Sequence, residues 1–355
     1  VTTVRVWPAD QDGASGWYRM RWPAQALAAQ GADVTVDTKG PTCMWDRQWT
    51  GDTAPLDARI LGCRPPDADI VVLQRPGRRH WADLIPYLQA HGTRVVVDVD
   101  DDFAAIPRGN IARRGYDPRT NPDHNWDHLA WACDLADLVT VTTPALARRY
   151  GRHGRVQVLP NLVPERYLTV QADTLLHTVG WTGSVDTHPG DLEVTRLAVR
   201  GALDTTGATV RVVGTGHRVA DALGLDSDPA STGWVPFADY PHEMSRFEVG
   251  IVPLAATPFN EAKSALKMGE FAALGVPVVA SPTADNRRLH DLGVGLLAAH
   301  PGRWQRLLTR LLREPDRRAE LAARGRLVMA GQTYERHAGR WADAWNFTLT
   351  GSRAA

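Results

Sequence analysis

Short runs rich in β-branched residues alternate with helix-length amphipathic stretches along almost the whole of this 355-residue chain, and that alternation restricts its fold more than any other feature. In the first half, extended runs are expected at 4–7, 33–37, 69–74, 94–100, 138–143 and 156–159, with helices near 18–30, 81–91, 124–136 and 144–150. In the second half, strands are expected at 178–181, 210–213, 233–237, 249–253 and 276–280, with helices between them and a helical tail over 301–347. Strand–helix–strand alternation calls for parallel sheets with right-handed crossovers, covered by helices on both faces. The length points to two domains, and Pro160-Asn161-Leu162-Val163-Pro164 with the polar stretch to Asp173 marks the hinge. The expected fold class is α/β: two doubly wound, Rossmann-like domains facing each other across a cleft. Their expected limits are 1–165 and 174–332, with a helix at 333–355 packing back toward the first.

Charge and cysteine usage narrow the function classes. With 40 acidic and 40 basic residues, bulk attraction to nucleic acid is not indicated, although a local patch leaves a nucleic-acid acceptor open. Three scattered cysteines (Cys43, Cys63, Cys133) with no CxxC spacing fit a reducing cytoplasm better than a disulfide framework. No apolar run approaches the roughly 18 residues of a membrane span, so no integral membrane segment is expected. A leader peptide is not expected either, because a strand-like run begins at Thr3.

Among the 40 basic residues only three are lysines, and two of them, Lys263 and Lys267, are four apart. They flank Ser264, read as the N-cap of a helix that Gly275 closes before the buried run Val276-Pro277-Val278-Val279-Ala280. Cations at a helix start are opposed by its macrodipole, at about 0.3–1 kcal/mol each. The arrangement makes sense if an anion sits there, held by free backbone N–H groups, a hydroxyl and two ammonium groups. The plain alternative is a surface helix with two solvated lysines.

Open α/β sheets bind ligands beyond the carboxyl ends of their strands, so residues just after each strand carry the information. After the first strand come Gly13, Gly16 and Arg19, read as an acceptor or phosphate loop; the spacing is not GxGxxG. Gly183, Ser184 and His188 follow the first strand of the second domain, and His188 is placed against sugar or phosphate. Asp98-Val99-Asp100-Asp101-Asp102 contains a literal DxD pattern. Metal binding is one reading; acceptor binding or general-base work by Asp100 and Asp101 is another, and helix capping a third. His124 and His128 have ligand-like spacing but lack a third ligand. The arginine-rich stretch 303–326 is expected to pack its leucines on the second domain, with contact to an anionic surface as the other reading.

These residues resemble the retaining glycosyltransferases of the GT-B fold, family-4-like (glycosyl transferases group 1). The likeness is strongest over 233–281, where Gly-Trp-Val-Pro-Phe, Val-Gly-Ile-Val-Pro-Leu, Phe-Asn-x-x-Lys-Ser-x-x-Lys-x-x-Glu and Leu-Gly-Val-Pro-Val-Val-Ala-Ser follow in the group's order. It is moderate over 136–161 and weaker at 13–23. The resemblance implies a nucleotide-diphosphate sugar as co-substrate, with no other cofactor and no metal. Lys263, Ser264 and the amides of Ala265 and Leu266 would hold the diphosphate beside Lys267, with Gly183 and Ser184 on its other side. Glu270 matches the second glutamate of the group's paired motif and would take the ribose hydroxyls; Val235 and Phe237 would border the base. The first glutamate of that motif falls on Ala262, with Asn260 or Glu261 as substitutes.

The mechanism implied is transfer with retention, Lys263 and Lys267 stabilising the departing phosphate. The expected enzyme is a hexosyl- or pentosyltransferase acting on an acceptor the sequence does not identify. The alternatives are a nucleotide-sugar 2-epimerase of the same fold and a nucleotide-sugar-binding protein without turnover.

Overall fold

The β-branched runs pair into two separate six-stranded sheets in which every pairing is parallel. The computed structural model describes residues 2–10, 13–40, 42–48, 58–64 and 66–350. The chain divides into two units: Val1–Ile106 with Ala112–Asn161 and Tyr334–Ala355, and Pro107–Ile111 with Leu162–Thr333.

In the first unit β1 (Thr3–Trp7), β2 (Asp33–Val36), β5 (Ile70–Gln74), β6 (Arg94–Val99), β7 (Leu138–Val141) and β8 (Val156–Val158) lie in the order β2-β1-β5-β6-β7-β8. All five residues of β5 are buried, as a strand covered on both faces requires. Two further short strands, β3 (Cys43–Trp45) and β4 (Ile60–Cys63), form an antiparallel pair that the alternation did not reveal. It sets Cys43 opposite Cys63, both free thiols; burial, with Cys63 beside it, pushes the Cys43 thiol up to about 12. The expected helix at 18–30 opens with a π-helical turn, Trp17–Arg21, and continues as Trp22–Ala29. The C-terminal helix Tyr334–Thr350 belongs to this unit, and the Tyr334 hydroxyl donates to the Tyr18 carbonyl at 2.7 Å.

The second unit orders β9 (Leu175–Gly183), β10 (Thr209–Gly214), β11 (Ala230–Ser231), β12 (Phe247–Val252), β13 (Val278–Ala280) and β14 (Leu296–Leu297) as β11-β10-β9-β12-β13-β14. That is the doubly wound arrangement, with its strand order reversing between β9 and β12. Trp304, Leu308, Leu311 and Leu312 of the helix Pro301–Arg313 enter the core beside Val179, Trp181, Val249 and Ile251. The arginine-rich stretch is thus anchored by its apolar face. The strand expected at 233–237 is absent: β11 lies earlier, and Gly233 has a φ of 69°, which ends the extended run. No helix among the described residues is long and apolar enough to cross a membrane.

Gly180 of β9 shows how closely this core is packed, because a Cβ there would lie 1.9 Å from the Phe247 ring. Phe247 is itself 2% exposed and tilted against Phe271, 6.1 Å between ring centres, so it has little room to yield. Gly180→Ala should cost about 1–3 kcal/mol through overpacking. A lower denaturant midpoint with an unchanged slope would show it.

Candidate functional site

Side chains from separate elements of the second unit, Tyr240 and Asp285 among them, meet the helix Leu266–Ala273 and its N-cap Ala265. Within that helix Glu270 is fully buried, and the Lys267 ammonium lies 3.0 Å from its carboxylate. Lys267 also donates to the Tyr240 hydroxyl at 2.5 Å and sits 4.7 Å from the centre of that ring. Burial works against the Lys267 charge, but Glu270 and Tyr240 outweigh it and raise its pKa, so the ammonium stays protonated across the neutral range. Burial, reinforced by Glu270, raises the Tyr240 phenol and keeps it neutral. Tyr240 in turn stacks on Phe237, 5.9 Å away and 8° from parallel, and Thr182 hydrogen-bonds to it. Lys263 packs over a different ring, 4.3 Å from the centre of Phe259.

Two expectations at this helix change. Its N-cap is Ala265 rather than Ser264, since the turn after the Pro258–Glu261 helix carries the chain one residue further before the helical dihedrals begin. The Ala265 amide does not face a ligand: it donates to the Asp285 carboxylate at 2.6 Å, and Arg288 holds the other oxygen of that carboxylate at 2.5 Å. Asp285 lies 20 residues on, in a separate helix, where no spacing rule would find it. Leu266 is the first residue of the helix and half-buried, as is Ser264.

Gly183 ends β9 with a φ of 142°, and its carbonyl accepts from the Thr215 amide. A Cβ at Gly183 would be 3.3 Å from both the His188 and Trp181 rings. Ser184 is buried and its hydroxyl accepts from the Asp186 amide at 3.3 Å. His188 stands edge-on to Trp181, and its Nδ1 donates to Asp191 at 3.0 Å. Asp191 is the organising group that the sequence did not disclose. It is 2% exposed and also accepts from the Asn260 side-chain amide at 2.6 Å and the Ala255 amide at 2.8 Å. Asn260 is therefore a positioning residue, fully engaged with Asp191 and the Ala255 carbonyl, while Glu261 is exposed. Ala262, where the group's first glutamate would fall, is itself buried. Val235 and Phe237 are half-buried in the turn segment after Gly233.

The first-unit expectations are revised more sharply. Arg19 is not in a phosphate loop: it is fully buried, paired with Asp98 through two hydrogen bonds of 2.9 and 2.7 Å, and donates further to the Leu159 carbonyl and Asn161. A guanidinium that gives four of its five N–H groups to protein acceptors and is wholly buried has no exposed face for a ligand. Gly16 is a packing glycine, since its Cβ would come 2.0 Å from the Asp10 carbonyl; the Gly13 amide donates to the Asp10 side chain at 2.8 Å. Asp12 of the same loop lies outside the described residues. Asp100 forms a doubly hydrogen-bonded pair with Arg75, both contacts 2.5 Å. Although burial opposes ionisation, Arg75 holds the Asp100 carboxylate below its usual range, which makes it a poor general base. Asp101 is half-buried beside it, and its carbonyl accepts from Phe103. The aspartates of the DxD run thus face different arginines: Asp98 faces Arg19, Asp100 faces Arg75 and Asp102 faces Arg149. His124 packs on the Tyr116 ring while His128 donates to the Asp123 carbonyl, so the two histidines take separate roles.

Comparison with known proteins agrees with this architecture. The glycosyl transferase-like family matches residues 195–343, most of the second unit and the start of the C-terminal helix of the first. No curated protein matches the chain in sequence at a significant level. Among solved structures, sucrose-phosphate synthase from Thermosynechococcus elongatus is 15% identical with a TM-score of 0.64, covering 99% of this chain and 100% of that one. HepE from Anabaena, solved in complex with UDP, is 13% identical at a TM-score of 0.61 and covers 97% and 100%. AviGT4, a glycosyltransferase involved in avilamycin A biosynthesis, is 14% identical at 0.59 and covers 99% of both chains. The chain thus has the GT-B fold of these solved structures, and its residues 195–343 match the glycosyl transferase-like family.

Proposed function

We propose that the protein transfers a sugar from a nucleotide-diphosphate donor to an acceptor, with retention of configuration and without a metal ion. The observation that carries this reading is the Tyr240–Lys267–Glu270 cluster at the start of the Leu266–Ala273 helix. An ammonium group has three N–H donors; Tyr240 and Glu270 take two, and the third is fixed in direction for a phosphate oxygen. Lys263, the Ser264 hydroxyl and the Leu266 amide complete a cradle suited to negative charge growing on the leaving phosphate. Glu270 then accepts from the ribose hydroxyls while neutralised by Lys267. Val235, Phe237 and the exposed Trp234 border the base. Gly183 and Ser184 approach the diphosphate, with His188 held by Asp191 beside the sugar.

Metal independence is supported by the aspartate run, in which the Asp98, Asp100 and Asp102 carboxylates already have arginine partners. A cytoplasmic setting is supported by Cys43, Cys63 and Cys133 as free thiols. Because HepE was solved with UDP, UDP is the first ligand to try here. The test is a thermal-shift panel of UDP, GDP, ADP and their sugars in EDTA. The matching nucleotide should stabilise the protein by roughly 2.7 kcal/mol at a hundredfold excess over its Kd, and adding Mg²⁺ should leave that shift unchanged. A shift seen only with Mg²⁺ would remove the metal-independent reading, and no shift with any nucleotide would remove the donor site.

A further inference from the structure

We propose that a cavity of about 260 Å³ within the first unit binds a single acidic sugar, a hydroxylated ring carrying one carboxylate or phosphate. It deepens the reading above by naming a substrate class for the acceptor. The word acceptor rests on that reading, while the binding itself does not.

The cavity lies at the carboxyl ends of β1 and β5, where the strand order of the first sheet reverses. That is where open parallel sheets take ligands. Trp7 is the last residue of β1 and Gln74 the last of β5; both line the cavity and are only 5% and 4% exposed. Gln74 Oε1 accepts from the Ala9 amide at 3.1 Å, which fixes the side-chain amide and leaves Nε2 as the donor. Neither Gln74 Nε2 nor Trp7 Nε1 has a hydrogen-bond partner among the described residues. Buried donors are nearly always satisfied, so two orphans in one wall call for oxygen acceptors on an incoming molecule.

The remaining lining specifies the rest of that molecule. Trp81 faces the Trp7 indole, 6.0 Å away and tilted by 44°, and the two rings offer an apolar surface for the C–H face of a sugar. Lys39, the third lysine of the chain, lines the cavity from an exposed position. Arg78 also lines it, with a side chain 36% exposed and only loosely paired to Asp123 at 3.8 Å. Asp37 in the same wall is turned to the backbone, accepting from the Lys39 amide at 2.8 Å. The volume is just below the usual range of ligand pockets, roughly 300–1,000 Å³, and suits one ring rather than a chain of them.

The test is calorimetric titration of the full chain with glucuronate, glucose 6-phosphate, glucose and inorganic phosphate. At least one acidic sugar should bind, and which one does tells carboxylate from phosphate. Glucose should bind about tenfold more weakly, the loss of one charge-assisted contact. Trp7→Phe keeps an aromatic face but lacks the N–H, and Gln74→Leu removes the amide; each should weaken the acidic sugar about fivefold, as one neutral hydrogen bond predicts. Lys39→Met should weaken the acidic probes and leave glucose unchanged. It is an exposed position, so its folding is not in question, and melting curves check the two buried variants. Binding should survive in Lys267→Ala, and nucleotide binding should survive in Trp7→Phe, so failure here is distinct from failure of the donor site. The proposal is overturned if no sugar binds, if bare phosphate binds as tightly as glucose 6-phosphate, or if folded Trp7→Phe and Gln74→Leu both bind like the parent.

Discussion

Arg19→Met should lower the melting temperature of the first unit by roughly 6–20 °C, the counterpart of about 3–5 kcal/mol for a broken buried ion pair. The cause is Asp98 rather than the lost arginine. That carboxylate is 1% exposed, and without Arg19 it keeps, among the described residues, the Thr140 hydroxyl at 2.6 Å as its neutral partner. An ion stranded at low dielectric is costly, whereas replacing both charges by apolar groups often is not. Arg19→Met/Asp98→Leu should therefore recover most of the loss. If the double variant is as unstable as the single one, the pair is not what stabilises this region. Nucleotide affinity should be unchanged in the folded fraction of both variants, because Arg19 has all its partners within the first unit.

Lys267→Ala should show two losses at once. Turnover should fall roughly 30- to 150-fold, the 2–3 kcal/mol expected for a charge-assisted contact made to the leaving phosphate. Stability should also fall, by about 1–3 kcal/mol, because Glu270 would be left buried without its cation. The smaller end of the range for buried pairs applies, since the Lys267 side chain is 36% exposed and solvent already screens it. Lys267→Ala/Glu270→Gln separates the two effects. It should regain stability and not activity, as judged by denaturation and by initial rates of nucleotide release. Recovery of both would mean that Lys267 serves the fold alone.

What the sequence disclosed follows from how local each signal was. Ile70–Gln74 and Arg94–Val99 were visible because a strand buried on both faces must be apolar along its length. The helix Pro144–Tyr150, expected at 144–150, is set by local groups: the Thr143 hydroxyl accepts from Leu146, and proline opens the first turn. The short pair β3 and β4 has no comparable run of apolar residues, and Gly233 broke a run that otherwise read as extended. At the candidate site, the lysine spacing singled out one helix, but the partners of each charge were set by tertiary distance. Arg19 meets Asp98 across 79 positions, Asn260 meets Asp191 across 69, and the Ala265 amide meets Asp285 across 20. Trp7 and Gln74 passed as ordinary strand ends, because an orphaned donor shows only once its neighbours are in place.

The central claim, that a pyrophosphate docks at the start of the Leu266–Ala273 helix, is tested most directly by comparing UDP with UMP in EDTA by calorimetry. The parent protein should prefer the diphosphate at least tenfold, and Lys263→Met/Lys267→Met should erase that preference while still binding UMP. An undiminished preference for UDP in the folded double variant would contradict the account.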